Sequence, residues 1–269
     1  NWYKFVTEKN YQNIPKIHGF APLTMKKIAG WHPYEYSKKT RTIELNEVIM
    51  ETIEALRKLH SLGGIKYNRS ECREVYVEKT KQRISKIAAI IPCKETEFYK
   101  VNGRKVRNLL NPKYSGDIDL LFQKVASSGE FSVIHGDPTF SNTLIEEKTN
   151  RPVFIDPRGY FATTTIFGDP LYDFAKLYYS AIGDYDQFNQ RRFEVLVEDN
   201  NVDFMLESNG FGSTECVFRQ EFPGTFKSIR ALHALIWLSL AGWVMDDVDS
   251  MLGAHFHGLE LFEGICNEE

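Results

Sequence analysis

The chain has 269 residues, of which 42% are apolar and 13% aromatic, enough to bury a core in one large domain or two smaller ones. Its formal net charge is −3 and its basic residues are dispersed, which argues against nucleic acid or an anionic membrane surface as the main partner. The four cysteines are far apart with no C-x-x-C pair, so we expect no zinc site or disulfide scaffold, and a reducing cytoplasm as the location.

The N-terminal elements are short apart from one helix. Residues 1–12 have the pattern of the end of a helix, and residues 14–20 and 23–30 predict a β-hairpin followed by a linker. Apolar residues then follow the helical period over residues 45–59, and the pair of glycines that begins at Gly63 ends this helix.

The middle of the chain mixes helices with short strands. Residues 71–91 and 117–126 predict amphipathic helices, and the polar stretch between them has no clear pattern. Short strands are predicted near 132–135, 142–146 and 152–156.

The C-terminal part is mainly helical. Residues 169–183 predict a helix, residues 191–208 alternate with period two and predict a hairpin, and most of the chain from residue 223 onward predicts helices. The predicted fold class is therefore α+β, with a small β-rich fragment followed by a large, mainly helical region.

The loop between the first two strands of the middle region carries chemically useful side chains. Asp137 can accept a proton from a substrate hydroxyl, while the amide oxygen of Asn142 and a second carboxylate can hold Mg²⁺ against nucleotide phosphates. Asp156, at the end of the third predicted strand, supplies that carboxylate. Each residue alone is typical of a turn or a helix cap, so the functional interpretation depends on the combination.

The combination resembles the aminoglycoside phosphotransferase and choline kinase superfamily, small-molecule kinases related to the protein kinases. The H-x-D-x-x-x-x-N loop of that family is matched by His135, Asp137 and Asn142, and its metal-binding strand-end Asp by Asp156. The resemblance implies ATP and Mg²⁺ as cofactors, Asp137 as the catalytic base or substrate-orienting carboxylate, and Asn142 and Asp156 as metal ligands. His135 belongs to the catalytic loop and is better suited to brace it than to transfer protons.

Two further segments fit the resemblance. The stretch "GDPLYDFAKL" is similar to the family's G-D-P-x-x-D-L-A helix start, which assigns Asp169 and Asp173 to structural support of the loop. The stretch around Met25, Lys26, Lys27 and Ile28 resembles the hinge between the lobes, where backbone groups receive adenine.

The resemblance implies a protein-kinase-like fold, with residues 1–30 as a remnant of the N-lobe and residues 31–269 as the helical C-lobe. A Gly-rich hairpin over the phosphates and a strand Lys paired with a helix Glu have no counterpart in the sequence. Because the first residue is Asn rather than Met, we expect both to lie upstream of a truncated start; a domain that has lost its phosphate clamp is the alternative.

The acceptor is expected to be a small molecule with a hydroxyl group, such as choline or another amino alcohol, a sugar or a polyol. Arg158 could contact a phosphate or an acidic substrate, and Trp237 and Asp246 could face a quaternary amine. The helical spacing of Trp237 and Trp243 nevertheless favours a place in the core for both, and the alternative for Asp246 is a solvated helix end.

Residues 155–161 and 168–180 look most like kinase domains of bacterial surface-polysaccharide gene clusters, which are often fused to a nucleotidyltransferase. Two other functions stay open. One is a pseudokinase-like module that binds a nucleotide or a partner without turnover. The other is a metal-dependent hydrolase built on His135, Asp137 and Asp156, which would need more ligands than this loop supplies.

Overall fold

The computed structural model describes residues 1–38 and 43–267 and confirms the α+β class. Its helices are α1 (Trp2–Glu8), α2 (Leu45–His60), α3 (Arg69–Arg73), α4 (Lys79–Ile87), α5 (Asp117–Lys124), α6 (Pro170–Ala181), α7 (Tyr185–Asn189), α8 (Glu215–Glu221), α9 (Phe226–Ala241) and α10 (Val248–Cys266). Its strands are β1 (Ile17–Phe20), β2 (Leu23–Met25), β3 (Gly30–Trp31), β4 (Gly64–Lys66), β5 (Phe98–Val101), β6 (Arg104–Arg107), β7 (Glu130–Val133), β8 (Thr143–Glu146), β9 (Pro152–Phe154), β10 (Tyr160–Phe161), β11 (Thr164–Thr165), β12 (Phe167–Gly168), β13 (Phe193–Glu198) and β14 (Asn201–Leu206). In the part of the chain that the structure describes, no helix has the length and apolar character needed to cross a membrane.

The chain forms two compact units, each built from three stretches of sequence. Unit 1 comprises Asn1–Asn68, Ser127–Asp186 and Ser208–Pro223, and unit 2 comprises Arg69–Ala126, Gln187–Glu207 and Gly224–Glu269. The loop around Asp137 and the strand end at Asp156 both belong to unit 1, so the candidate site can be described within that unit. The lobe boundary at residue 30 stays a prediction.

Unit 1 contains small sheets rather than one continuous sheet. Strand β7 pairs with β4 and β12, whereas β8 pairs with β3 and β9. The predicted hairpin of β1 and β2 is confirmed, while β4 lies just after α2 in a stretch for which no strand was predicted. The polar loop between β7 and β8 therefore connects two different sheets.

Helix α2 forms where the apolar periodicity predicted it. Its start carries a capping box, in which the side chains of Glu44 and Glu47 exchange hydrogen bonds with the backbone of the first turn. Its apolar face is fully buried at Val48, Ile49 and Leu56, and the helix packs against β7, β9 and α6. Burying such a face stabilises the helix far more than its intrinsic propensity does.

Unit 2 contains one sheet, in the order β13-β14-β5-β6. The hairpin of β13 and β14 is confirmed, but the hairpin of β5 and β6 lies in the stretch that had no clear pattern. Its turn residues, Asn102 and Gly103, both have positive φ angles, which is the conformation that an Asn-Gly turn adopts readily. Strand β5 also pairs in parallel with β14, a contact between distant parts of the chain.

The helices of unit 2 cover this sheet. Helix α10 packs on α9 and on the strands, and α4 packs on α9. The amphipathic helix predicted over residues 71–91 is formed by α3, a π-helical segment at Glu74–Glu78 and α4. The prediction that Trp243 belongs to the core is wrong, because α9 ends at Ala241 and Trp243, beyond that end, is 69% exposed.

Candidate active site

His135 braces the loop that follows β7. Its side chain is fully buried, its Nδ1 accepts the N–H of Asp137 at 3.2 Å, and its Nε2 lies 3.0 Å from the carbonyl oxygen of Ile155. Burial lowers the pKa of His135 and outweighs the nearby carboxylates, so the ring is neutral at pH 7. Because backbone groups use both ring nitrogens, neither is available to exchange a proton with a substrate.

Backbone hydrogen bonds hold the end of β9 against the same loop. The N–H of Ile155 donates to the carbonyl of Asn142 at 2.9 Å, and the N–H of Arg158 donates to the carbonyl of His135 at 2.9 Å. Between these contacts Asp156 has a φ of 52°, a left-handed conformation that Asp adopts more readily than most residues. Asp156 therefore directly follows Ile155, whose backbone N–H is hydrogen-bonded to Asn142.

The side-chain oxygens of Asn142 and Asp156 fit a magnesium ion. The amide nitrogen of Asn142 donates to the carbonyl of Asp137 at 2.9 Å, which directs the amide oxygen elsewhere. Within residues 1–38 and 43–267, neither that oxygen nor the Asp156 carboxylate has a hydrogen-bond or ion-pair partner. Mg²⁺ takes hard oxygen ligands and is bound in many kinases by one or two protein groups together with substrate phosphates. The same residues contain no group of three or more His, Cys, Asp or Glu side chains that could hold a metal alone.

Asp137 forms an ion pair with Lys176 of α6. Lys176 Nζ lies 2.8 Å from Asp137 Oδ1, and the side chains are 13% and 38% exposed, respectively. Burial would raise the pKa of Asp137, but Lys176, with a smaller contribution from Arg158, lowers it below its usual value. Asp137 is therefore a carboxylate at pH 7, as a proton acceptor must be.

Asp173 contacts the loop backbone directly. This fully buried carboxylate accepts the N–H of His135 at 2.8 Å and the N–H of Gly136 at 2.7 Å, and it lies 3.0 Å from His60 Nε2. Gly136 has a φ of 83°, and a Cβ there would stand 2.8 Å from Cβ of Arg158. A residue with a side chain would be both strained and too close at this position.

Asp169 begins the helix that carries Asp173. Its fully buried side chain accepts the N–H of Leu171 at 3.1 Å, and Pro170 occupies the first helical position. Both features are favourable at a helix start. Asp169 and Asp173 both contact backbone N–H groups, and their role as support for a catalytic loop stays a prediction.

Several residues around the loop were missed in the sequence. The indole of Trp2 donates to the carbonyl of Ile134 at 2.7 Å, and the hydroxyl of Tyr3 accepts the N–H of Asp156 at 3.1 Å. No local signal connects α1 with a strand end so far along the chain. Lys176 did carry a signal, because a lysine one turn after Asp173 interrupts an otherwise apolar run.

The predicted adenine segment is partly open. Met25 and Ile28 are half-buried, whereas Lys26 and Lys27 are exposed. The N–H of Lys26 donates to the carbonyl of Lys16 at 2.8 Å, but the backbone groups of Lys27 and Ile28 have no hydrogen-bond partner among the described residues. These are the backbone groups that a base could use.

The predicted substrate residues are not brought together within one unit. In unit 1, Arg158 donates to the hydroxyl of Tyr172 at 3.1 Å and lies over the ring of Tyr160, and no acidic side chain among the described residues pairs with it. In unit 2, Trp237 is fully buried and donates to His233, so it has no exposed face to offer a substrate. Asp246 is exposed in the turn between α9 and α10.

Comparisons with known proteins identify the family to which the chain belongs. A search of curated proteins found no match. Among solved structures, the chain is similar to an ethanolamine kinase of Plasmodium vivax, with 13% identity and a TM-score of 0.46 over 98% of this chain and 70% of that one. A TM-score below 0.5 is too low to bear on function. A family model described as "Phosphotransferase enzyme family" matches residues 13–196, which is more than half of the chain and includes the loop, the strand end and α6, so the chain belongs to that family.

Proposed function

We propose that the protein transfers the γ-phosphoryl group of ATP, together with Mg²⁺, to a hydroxyl group of a small metabolite. One observation supports this most strongly: the ionised carboxylate of Asp137 shares a loop with the amide of Asn142, and backbone bonds hold the Asp156 strand end against that loop. Phosphoryl transfer to an alcohol requires a proton acceptor and, beside it, oxygen atoms that are free to bind a metal ion. Membership of the phosphotransferase family supports the same reaction.

In this reaction the acceptor hydroxyl donates a hydrogen bond to Asp137. The hydroxyl oxygen forms a bond to phosphorus while the bond from phosphorus to the ADP oxygen breaks, and the hydroxyl proton passes to Asp137. Asn142 and Asp156 would hold the magnesium ion, which supplies positive charge to the phosphates. The unpaired backbone groups of Lys27 and Ile28 would receive the base.

The charges near Asp137 favour an acceptor without a positive charge. Lys176 and Arg158 both lower the pKa of Asp137, so two cations lie near the position where the hydroxyl must be. The Asp137 carboxylate offsets the charge of Lys176, so Arg158, which pairs with no acidic side chain among the described residues, is the charge that would repel a cationic acceptor. We therefore propose a sugar or polyol rather than choline or another amino alcohol. A role in surface-polysaccharide synthesis, a fused nucleotidyltransferase and a cytoplasmic location stay predictions.

The test is Mg²⁺-dependent conversion of ATP to ADP by the native protein, measured with a panel of sugars, polyols, amino alcohols and hydroxy acids. We expect turnover with a neutral or anionic acceptor, and loss of turnover when EDTA removes the metal. Fluorescence titration with MgADP runs alongside. Absence of turnover with every acceptor, together with absence of MgADP binding, would reject the kinase in favour of a partner-binding module.

A further inference from the structure

Lys176 carries a mostly buried ammonium group, and not all of its N–H donors have an acceptor among the described residues. Its side chain extends from α6 and is 13% exposed. Its Nζ lies 4.9 Å from the ring centre of Tyr179 and 5.6 Å from that of Tyr185, and these two rings stack on each other. Burying an ammonium in such a place is costly unless other groups compensate its charge.

Asp137 compensates the charge and can accept one of the three N–H donors of Lys176. The two groups are 2.8 Å apart, and Asp137 Oδ1 is buried. Within residues 1–38 and 43–267, Lys176 Nζ has no other hydrogen-bond or ion-pair partner, so two of its N–H groups can donate elsewhere. The burial of the Lys176 side chain and the packing of the tyrosine rings hold the ammonium in place.

We propose that Lys176 is a catalytic residue, which donates a hydrogen bond to the phosphoryl group during its transfer. This inference depends on the proposed function. An acceptor oxygen within hydrogen-bond reach of Asp137, about 3 Å, places the phosphorus close to the same carboxylate. Because Lys176 Nζ is 2.8 Å from Asp137, the ammonium lies in the same neighbourhood as the transferring group, and one of its remaining N–H groups would donate to an oxygen of that group.

The benefit is greatest in the transition state. As the bond to the ADP oxygen breaks and the bond to the acceptor oxygen forms, negative charge spreads over the three outer oxygens of the phosphoryl group. A preorganised cation in a site with little water stabilises that charge more than it would in bulk solvent. Lys176 keeps its three protons throughout, and the acceptor proton goes to Asp137.

The test uses a transition-state mimic, so the acceptor need not be known. ADP with Mg²⁺ and aluminium fluoride places a planar, negatively charged group where the phosphoryl group would be. The native protein should bind ADP at least tenfold more tightly when the fluoride is present. We expect the K176M variant to lose most of this gain while its affinity for MgADP alone stays within threefold of the native value, and K176R to recover at least a third of the gain on the logarithmic scale.

Matched controls separate catalysis from structure. Lys58, an exposed lysine of α2 that pairs with Glu54, is replaced in K58M, which should keep the full fluoride effect. Slow ATP hydrolysis, with water as the acceptor, should fall about 100-fold in K176M through kcat rather than KM. K176Q serves as a second neutral variant should K176M not fold.

Three results would overturn the inference. One is a fluoride effect in K176M or K176Q equal to that of the native protein, and another is a K176R no better than K176M. The third is an equal loss of affinity for MgADP with and without fluoride, since Lys176 would then bind the nucleotide in general. If the native protein does not bind MgADP, that result contradicts the proposed function itself. The three results above contradict only the role of Lys176, so the two failures can be told apart.

Discussion

The two compact units bury ionisable groups in different ways. Among the described residues, the fully buried carboxylates of Asp169, Asp173 and Asp186 all belong to unit 1. Each accepts at least one backbone N–H from a loop or a helix start; Asp186, for example, accepts that of Ser141 at 2.9 Å. A buried carboxylate is unfavourable without several hydrogen bonds, so its presence indicates a backbone that must be held in one place.

Among the described residues, unit 2 buries no carboxylate to this extent, but it buries histidines, as unit 1 does at His135. Burial lowers the pKa of His233 well below its ordinary value and that of His255 to about 3, so both rings are neutral at pH 7. The rest of its core is aromatic and aliphatic, with Trp237, Phe256 and similar side chains fully buried. The comparison teaches that unit 1 uses buried carboxyl groups to hold the loop around Asp137, whereas unit 2 depends on apolar packing.

The largest expected effect is that of D137N on turnover. Asp137 is the carboxylate of the loop that is partly exposed and tethers no backbone group, so its replacement should lower kcat about 1,000-fold or more. The affinity for MgADP should change little, whereas the melting temperature should fall, because the mostly buried ammonium of Lys176 loses the carboxylate that compensates its charge. Steady-state kinetics with the acceptor found in the panel measures this, and a D137N enzyme with near-native turnover would remove Asp137 from the mechanism.

The second largest effect is expected for Asp173, a buried carboxylate of unit 1. D173A leaves the N–H groups of His135 and Gly136 buried without an acceptor, so the free energy of unfolding should fall by roughly 3–5 kcal/mol. D173N keeps one acceptor oxygen and should lose less. The matched control is D203A on the exposed face of β14, which should change stability by less than about 0.5 kcal/mol. Urea unfolding measures the free energy of unfolding of all three variants. A loss below 1 kcal/mol in D173A would contradict the inference that Asp173 holds the loop backbone in place.

A pair of tryptophans tests the apolar core of unit 2. W237A removes a fully buried ring and should destabilise the protein by roughly 3–5 kcal/mol. W243A removes an exposed ring that contacts Arg83, and a loss of about 0.5–1 kcal/mol is expected. Thermal and urea unfolding of both variants give the comparison. Equal losses of stability in W237A and W243A would show that burial of the ring does not determine how much it stabilises the protein.

The smallest effect concerns Asp184, whose pKa burial raises to about 6, with a further contribution from Asp186 and an opposing one from the N–H of Asn209. The folded protein therefore binds one more proton than the unfolded chain between about pH 4 and pH 6, and this contribution to stability is lost as the pH rises through that window.

The D184N variant cannot ionise at this position, and Asn tolerates the local φ of 53°. It should match the native protein near pH 4 and exceed it at pH 7 by on the order of 1 kcal/mol in the free energy of unfolding. Urea unfolding at both pH values measures the gap. A gap that does not grow with pH would show that Asp184 titrates normally.

Local patterns predicted the elements that depend on neighbours in the chain. Helix α2 and the hairpin of β13 and β14 followed from apolar periodicity, because one buried face sets the period. The hairpin of β5 and β6 was missed although Asn102-Gly103 marks its turn, since polar residues in its strands obscure the alternation. Trp243 was misplaced because helical spacing does not show where α9 ends.

By itself, the sequence determined the residue types of the site. The spacing of His135, Asp137 and Asn142, with Asp156 at a strand end, follows from a short loop and its strands, and such order is visible in the letters alone. The family match over residues 13–196 covers all four positions. Residue type and local spacing are properties of neighbouring positions, which is why they can be predicted from the chain.

Only the tertiary structure decided how these residues act together. In the folded chain, β7 and β8 belong to different sheets, and the backbone of Ile155 is hydrogen-bonded to that of Asn142. Lys176 of α6 forms an ion pair with Asp137. These contacts join residues far apart in sequence, and they form because burial of α6 and of the strands leaves the carboxylate and the ammonium beside each other. No local pattern contains that information.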